Sequence, residues 1–293
     1  MNSGYFIKIQ MKKVSAIITT HNRADLLKRA IESVLNQTYK NMECIVVDDN
    51  STDNTREVCS HYPVQYIYIP KEESHGGNYA RNLGIKASAG EYCAFLDDDD
   101  YWLPEKTEKQ VKLIEEKECE LVYCGRRLEI VNKDGTKYED TLPDPRYYGD
   151  MHKKILTVIC TTTTCILAKR QALFDVGLFD ENLGFWQEYE LTIRLAQRKP
   201  FYFVNEPLVV YRVNTKDNAR LTNKFAEWKK AVKYIHTKHI ILYKSLNMTD
   251  RLKVIIMTIN DAETRSKSSG LLFHSFFYSI LLAPTRIRSK IRN

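Results

Sequence analysis

This sequence predicts an α/β fold, a mostly parallel sheet flanked by helices with a helical extension at its carboxyl end, on three observations. Apolar, β-branched runs alternate with helix-spaced stretches from Val14 to Leu96, the pattern of a parallel sheet with helices on both faces. Polar clusters follow those runs at Thr19 to Asn22, Asp48 to Asn50 and Asp97 to Asp100, along the edge where open α/β sheets bind ligands. From Arg220 onward, fifteen Lys/Arg stand against four Asp/Glu in a stretch of helical character, so the net charge of +7 belongs to the tail.

Each element follows in order. Val14 to Thr19 reads as a strand buried on both faces. Asn22 with Asp25 makes a capping-box-like start for a helix carrying Leu27, Ala30, Ile31, Val34 and Leu35. Cys44 to Asp48 is the second strand, and Asp49 to Asp53 a turn and helix start. Val64 to Ile69 is the third strand. Gly76-Gly77 opens a helix with Ala80, Leu83, Gly84 and Ala87, which Gly90 stops. Tyr92 to Leu96 is the fourth strand, and Pro104 suits a first helical turn. Leu121 to Cys124 and Leu128 to Val131 read as strands before a turn at Lys133-Asp134-Gly135. A Pro/Tyr/Gly loop runs from Pro143 to Gly149. Thr161 to Ala168 reads as a strand, Gln187 to Gln197 as a helix, and Pro200 to Val204 and Pro207 to Tyr211 as strands. The rest is helical.

A chain of 293 residues, 43% hydrophobic and 28% charged, has material for one large globular domain with an appendage. No apolar run reaches the length of a membrane span, and Met1 to Lys13 lacks the apolar core of a signal peptide. A second methionine, Met11, marks residues 1–12 as an N-terminal extension. The seven cysteines are odd in number and form no C-x-x-C pair, and several sit in apolar runs. They read as reduced core residues of a cytoplasmic protein, not as a disulfide frame or zinc site.

The strongest chemical signal is Asp97-Asp98-Asp99-Asp100. Adjacent carboxylates repel one another, and a divalent cation that takes oxygen ligands, Mg²⁺ or Mn²⁺, removes that cost. A solvated acidic loop is the plain alternative. The buried strand before the cluster, with Trp102 and Pro104 behind it, favours the metal. At Asp48-Asp49-Asn50-Ser51 a carboxylate can accept the imide N–H of a uracil. Equally, the segment can cap the next helix through Ser51 or Asp53.

Five segments together resemble family 2 glycosyltransferases: Val14 to Asn22, Ser33 to Tyr39, Val46 to Asp53, Ala80-Arg-Asn-Leu-Gly84 and Gly90 to Asp100. The likeness runs in order from Val14 to about Tyr211. It implies the GT-A fold, a Rossmann-like single domain spanning 13–218, with a nucleotide-binding half at 13–103 and an acceptor half at 104–218. It implies an inverting enzyme that moves a hexose or N-acetylhexosamine from a UDP-sugar to an acceptor sugar in bacterial surface-polysaccharide synthesis. Thr19 then lies where the first strand meets the nucleotide, Asp49 where a carboxylate reads the base, and Arg81 beside the diphosphate. Asn22 and Asp98 join this donor-binding set. Asp97 and Asp99 are the outer positions of the family's D-x-D motif, with Asp99 the direct ligand of Mn or Mg and Asp97 nearer the ribose. A surface arginine is the plain alternative for Arg81.

The family's E-D-[WY]-D-like segment corresponds to Gln187-Glu188-Tyr189-Glu190-Leu191, which departs from the pattern. Gln187 replaces an acid. Glu188 stands where Asp is the usual base, with Glu190 as fallback; solvent-facing helix positions are the plain reading of both. Phe185 and Trp186 either stack on a sugar or pack. The resemblance gives the mechanism. The metal stabilises the charge growing on the leaving diphosphate, the anomeric carbon becomes oxocarbenium-like, and Glu188 takes the acceptor proton. One displacement inverts the configuration.

Residues 219–293 form a basic helical region. The apolar run Leu271 to Ala283, followed by Arg286, Arg288, Lys290 and Arg292, suits an anionic membrane surface. That implies peripheral contact with the inner face of the cell membrane and a lipid-linked acceptor; packing on the enzyme is the alternative. Nucleic acid is not expected as a partner, since no motif for it is present. Two other functions stay open. A metal-dependent nucleotidyltransferase needs a Gly-rich basic loop where this chain has Thr-Thr-His-Asn-Arg. A non-catalytic nucleotide-sugar-binding assembly partner is kept open by Gln187 and Glu188.

Overall fold

The computed structural model describes residues 11–133, 135–214 and 224–291, with the side chains of Leu272 and of residues 283–291 left out. Nearly all of the expected N-terminal extension, Asp134 of the expected turn, and the side chains of Arg286, Arg288, Lys290 and Arg292 therefore lie outside the described residues.

Among the described residues, nine strands form one mixed sheet. β1 (Val14–Thr20), β2 (Met42–Asp49), β3 (Gln65–Ile69) and β4 (Tyr92–Asp97) pair in parallel, with β1 between β2 and β4. β6 (Leu121–Asn132) runs parallel to β9 (Phe201–Asn214). β5 (Tyr101–Trp102), β7 (Gly135–Thr141) and β8 (Leu167–Lys169) join antiparallel. The order is β3-β2-β1-β4-β8-β6-β9-β5, with β7 beside β6. Strand side chains alternate between two faces. Ile17, Ile45, Val47 and Phe95 meet α3 (Gly77–Ala87) and α6 (Gln187–Ala196), while Ala16, Ile18, Val46 and Leu96 meet α1 (Ala24–Leu35) and α4 (Lys106–Glu116).

Gly84 sets how closely α3 lies on the sheet. A Cβ there would collide with the Ile17 side chain and come within 3.3 Å of Val47. Gly125 marks a bulge in β6, where a Cβ would lie 2.8 Å from the Glu206 carbonyl and 2.9 Å from that of Thr141.

Four sequence expectations change. Asn22 and Asp25 do not box the start of α1; the Ala24 N–H donates to Asp53 Oδ2 at 3.0 Å, so a neighbouring loop supplies the cap. The two strands expected around Leu121 to Val131 are one, continuous through the Gly125 bulge, and those expected across Pro200 to Tyr211 are also one. The strand expected over Thr161 to Ala168 is confined to β8. Before it, Thr163–Cys165 forms a 3-10 turn whose buried carbonyls accept from side chains, Trp102 Nε1 on Thr164 O at 3.1 Å and Gln110 Nε2 on Cys165 O at 2.8 Å.

Among the described residues, four helices follow the sheet: α7 (Phe225–Lys238), α8 (Ile240–Lys244), α9 (Met248–Ser268) and α10 (Leu272–Ile291). α7 buries Phe225, Trp228, Ala231 and Ile235. α9 reaches the start of α6, where Asp261 Oδ2 accepts from Trp186 Nε1 at 2.8 Å and the Arg265 guanidinium sits 5.4 Å over the Phe185 ring. Phe185 and Trp186 thus pack under the tail. Phe273, Phe276, Phe277, Ile280 and Leu281 of α10 remain exposed. Among the described residues, no helix is long and apolar enough to cross a membrane. All seven cysteines are free.

Candidate functional site

The carboxyl ends of β1, β2 and β4 meet at one edge. Thr19 sits there, half-buried, in register with Val47 on one side and Asp97 on the other. Asn22 takes a left-handed φ of 52°. Its N–H donates to Ser51 Oγ at 2.8 Å and its Oδ1 accepts from the Thr52 N–H at 2.7 Å, so it clasps the loops after β1 and β2 together.

The adjacent acids Asp48 and Asp49 differ sharply. Asp48 is buried and accepts from the Ser51 N–H at 2.9 Å and the Tyr66 hydroxyl at 2.7 Å. Its carboxylate is occupied in shaping the turn. Asp49 keeps a buried Oδ1 with no partner among the described residues. An orphaned acceptor of this kind is costly unless a ligand supplies a donor.

Beyond β4 the four aspartates crowd against few cations. Asp97 accepts from Arg81 Nη2 at 2.7 Å. Arg23 Nη1 spans Asp98 and Asp99 at 3.1 and 3.0 Å. Asp100 is buried, accepts the Arg212 backbone N–H at 2.9 Å, and leaves Oδ2 without a partner among the described residues. Burial pushes the Asp98 carboxyl up to about 6 despite Arg23. Burial and then the charge of Asp97 raise Asp99, and burial with the charge of Asp99 raises Asp100 further. Ionising the turn is therefore costly, and the cations around it do not offset that cost. Among the described residues no three His, Cys, Asp or Glu side chains converge on a common point. A cation here would take one or two carboxylates and fill its shell from water and ligand oxygens, as Mg²⁺ commonly does.

Arg81 is buried, not a surface arginine. Its guanidinium binds Asp97 with Nη2 and Gln187 Oε1 with Nη1 at 2.9 Å. Asn78 and Asn82 of the same helix hold the segment before α6. Asn78 Nδ2 donates to Asp180 O at 2.6 Å, and Asn82 exchanges bonds of 2.9 Å with Phe179 in both directions. Three side chains of α3 thus fix the start of α6 against the aspartate turn.

Glu188 and Glu190 lie in the first turn of α6. Glu188 is half-buried, and no side chain among the described residues hydrogen-bonds its carboxylate. Burial raises its pKa; Arg81 and Arg265 oppose that and Asp97 adds to it. Glu190 has no exposed surface and is fully engaged. Arg194 Nε bonds both its oxygens at 3.0 Å, Lys238 lies at 2.8 Å and His239 Nε2 at 3.0 Å. Burial pushes its carboxyl up, but the bonds from His239 and Arg194 prevail and hold it at about 2. Glu190 is neither solvent-facing nor free to accept a proton.

The sequence reading counted Asp100 in the acidic cluster without a part of its own, and overlooked Arg23, Arg29 and Arg212. Arg23 could have been found, because it follows Asn22 in the polar cluster after β1. Arg29, which donates to Asp99 O at 3.0 Å, and Arg212 carry no local signal.

A profile of the family "Glycosyl transferase family 2" matches residues 15–177. An uncharacterized glycosyltransferase of Rickettsia typhi is 34% identical over 72% of this chain and 66% of its own length. TuaG of Bacillus subtilis, named as a teichuronic acid biosynthesis glycosyltransferase, is 31% identical over 75% of this chain and 84% of its own. The chain spans 66% of the Rickettsia typhi relative and 30% of a Rickettsia bellii one. Among solved structures, S. aureus TarS 1-349 in complex with UDP-GlcNAc superposes with a TM-score of 0.62 at 17% identity, covering 87% of this chain and 73% of that one. The mannosyltransferase PcManGT of Pyrobaculum calidifontis, in complex with GDP-Man and Mn²⁺, gives 0.63 at 17% identity, covering 96% and 81%. At that identity the likeness shows the fold.

Proposed function

Because this chain belongs to glycosyl transferase family 2, we propose that it moves a hexose or N-acetylhexosamine from a UDP-sugar to an acceptor sugar hydroxyl, with inversion, in surface-polysaccharide synthesis. The observation that carries this reading is the Arg81 guanidinium. It binds Asp97 and Gln187 at once and so holds the aspartate turn beside the start of α6, where Glu188 lies. Gln187, the departure from the family pattern, is what a cationic Arg81 shared with Asp97 can use as a neutral acceptor.

In this reading Asp99, with Asp97, holds a divalent cation, Mn²⁺ or Mg²⁺. When bound, that cation stabilises negative charge on the leaving diphosphate as a Lewis acid. The free oxygen of Asp49 receives the imide N–H of uracil, and Thr19 lines the same edge. Asn22 and Asp98 act by shape, Asn22 clasping two loops and Asp98 anchoring Arg23. Glu188 takes the acceptor proton. Burial makes its carboxylate a stronger base than a free glutamate, closer to the pH at which it works. The catalytic unit is residues 13–218. We place the enzyme on the inner face of the membrane, with the exposed Phe273, Phe276, Phe277 and Ile280 of α10 and the basic residues that follow them in sequence against anionic lipid. A lipid-linked acceptor would be presented there.

Turnover of UDP-sugars by Glu188→Gln tests the chemistry. A fall of about 10²–10⁴-fold is expected, with UDP binding retained. Full turnover in the variant would remove Glu188 as the base, and a wild type that turns over no UDP-sugar would overturn the reading. Co-sedimentation with vesicles tests the location: binding to anionic and not to zwitterionic lipid is expected, and binding to neither removes the membrane contact.

A further inference from the structure

A cavity of about 210 Å³ opens between β6, the start of the loop after β7, and the segment Val158 to Thr162. Cys160 on its wall lies within electrostatic reach of Glu188. Tyr211, whose ring lies under the lining residue Arg126, feels the charges of Asp100 and Asp97. The lining thus neighbours the candidate base through Cys160 and the aspartate turn through Arg126 and Tyr211.

Arg126 lines it, just past the Gly125 bulge that turns β6. Its guanidinium stacks 5.1 Å over the Tyr211 ring and has no hydrogen bond or ion pair among the described residues. Its neighbours differ. Arg127 is bonded to Asp140, Arg29 to Glu129, Arg81 to Asp97 and Arg23 to Asp98 and Asp99. The carboxylate that lines the same cavity, Asp144, is already taken by Arg146, at 2.5 to 3.0 Å. Thr161 and Thr162 spend their protons on Thr162 O and Cys165 Sγ, which leaves their oxygens as acceptors for hydroxyl groups. The lining therefore offers hydroxyl acceptors and one guanidinium with no anion.

We propose that this cavity takes an acceptor sugar bearing an anionic group, a carboxylate or a phosphate, and that Arg126 receives that group. A guanidinium fork matches both anions, and stacking on Tyr211 holds the fork in place. The assignment to the acceptor rests on the proposed role of Glu188. The charge preference itself does not.

Ligand-observed NMR titrations of wild type, Arg126→Gln and Arg126→Lys with methyl β-glucoside, methyl β-glucuronide and glucose 6-phosphate test it, with UDP titrated alongside in the presence of Mg²⁺. Wild type should bind one or both charged sugars about tenfold to a hundredfold tighter than the neutral one, and whichever binds identifies the anion. Arg126→Gln should abolish the difference and leave UDP binding unchanged, and Arg126→Lys should keep part of it. Equal binding of charged and neutral sugars by wild type, or binding of none, overturns the proposal. So does a preference that survives in Arg126→Gln, or a loss of UDP affinity in that variant, which would give the guanidinium to the donor. Absence of UDP binding to wild type would instead count against the glycosyl-transfer reading.

Discussion

The aspartate turn after β4 and the first turn of α6 both bury carboxylates, and they treat the charge in opposite ways. Glu190 is surrounded by Arg194, Lys238 and His239 and is held at about 2. Asp98 and Asp99 share Arg23, Asp100 accepts only the Arg212 backbone N–H among the described residues, and all three are raised by burial. A buried acid with its own cations is a structural joint. A group of buried acids short of cations is a place for a ligand that brings positive charge. Glu188 belongs with the second kind although it shares a helix turn with Glu190. The difference teaches that residue type and spacing do not separate the two; the count of partners does.

The sharpest way to break this comparison is Glu190→Ala. It takes the carboxylate away from Arg194, Lys238 and the His239 ring at once, and breaking a buried pair of this kind costs about 3–5 kcal/mol. The melting temperature should fall by about ten degrees, whereas Glu188→Ala should leave it nearly unchanged. Similar melting temperatures for the two variants would mean that Glu190 is no joint.

The pH dependence of stability sharpens the same point. The Glu190 carboxyl moves from an ordinary 4.5 to about 2 in the folded chain. The unfolded chain takes up the proton first, so the stability Glu190 contributes is fully present above about 4.5 and is lost as pH falls towards about 2. Chemical denaturation across that range should show a steeper acid loss in wild type than in Glu190→Gln. Parallel profiles would contradict the pairing. The smallest effect expected is that of Gly84→Ala, where the new methyl group meets Ile17. Overpacking of this kind costs about 1–3 kcal/mol, with activity retained at temperatures where the variant stays folded. No loss of stability would show that α3 can lift from the sheet.

Much of the proposed donor edge was legible in the sequence because each part is local. Asp97 to Asp100 and Asp49 follow buried strands, and a parallel sheet brings such strand ends together. The division of labour between Asp48 and Asp49 was not legible, since it depends on a hydroxyl from Tyr66 in β3. Arg81 stood out only through the family likeness; its bond to Gln187 crosses a long stretch of chain. Glu190 was misread for the same reason, because Lys238 and His239 come from α7 and the residue after it. The proposed acceptor side was least legible. Its cavity is built from β6, two loops and a bulge, and nothing in the local pattern around Arg126 shows that its charge goes unmatched.

The most direct measurement is calorimetric binding of UDP with and without Mn²⁺, to wild type and to Asp99→Asn. Binding that requires the metal in wild type and is lost in the variant is expected if the aspartate turn recruits a cation for the donor diphosphate. Binding that ignores the metal, or survives unchanged in Asp99→Asn, would contradict it.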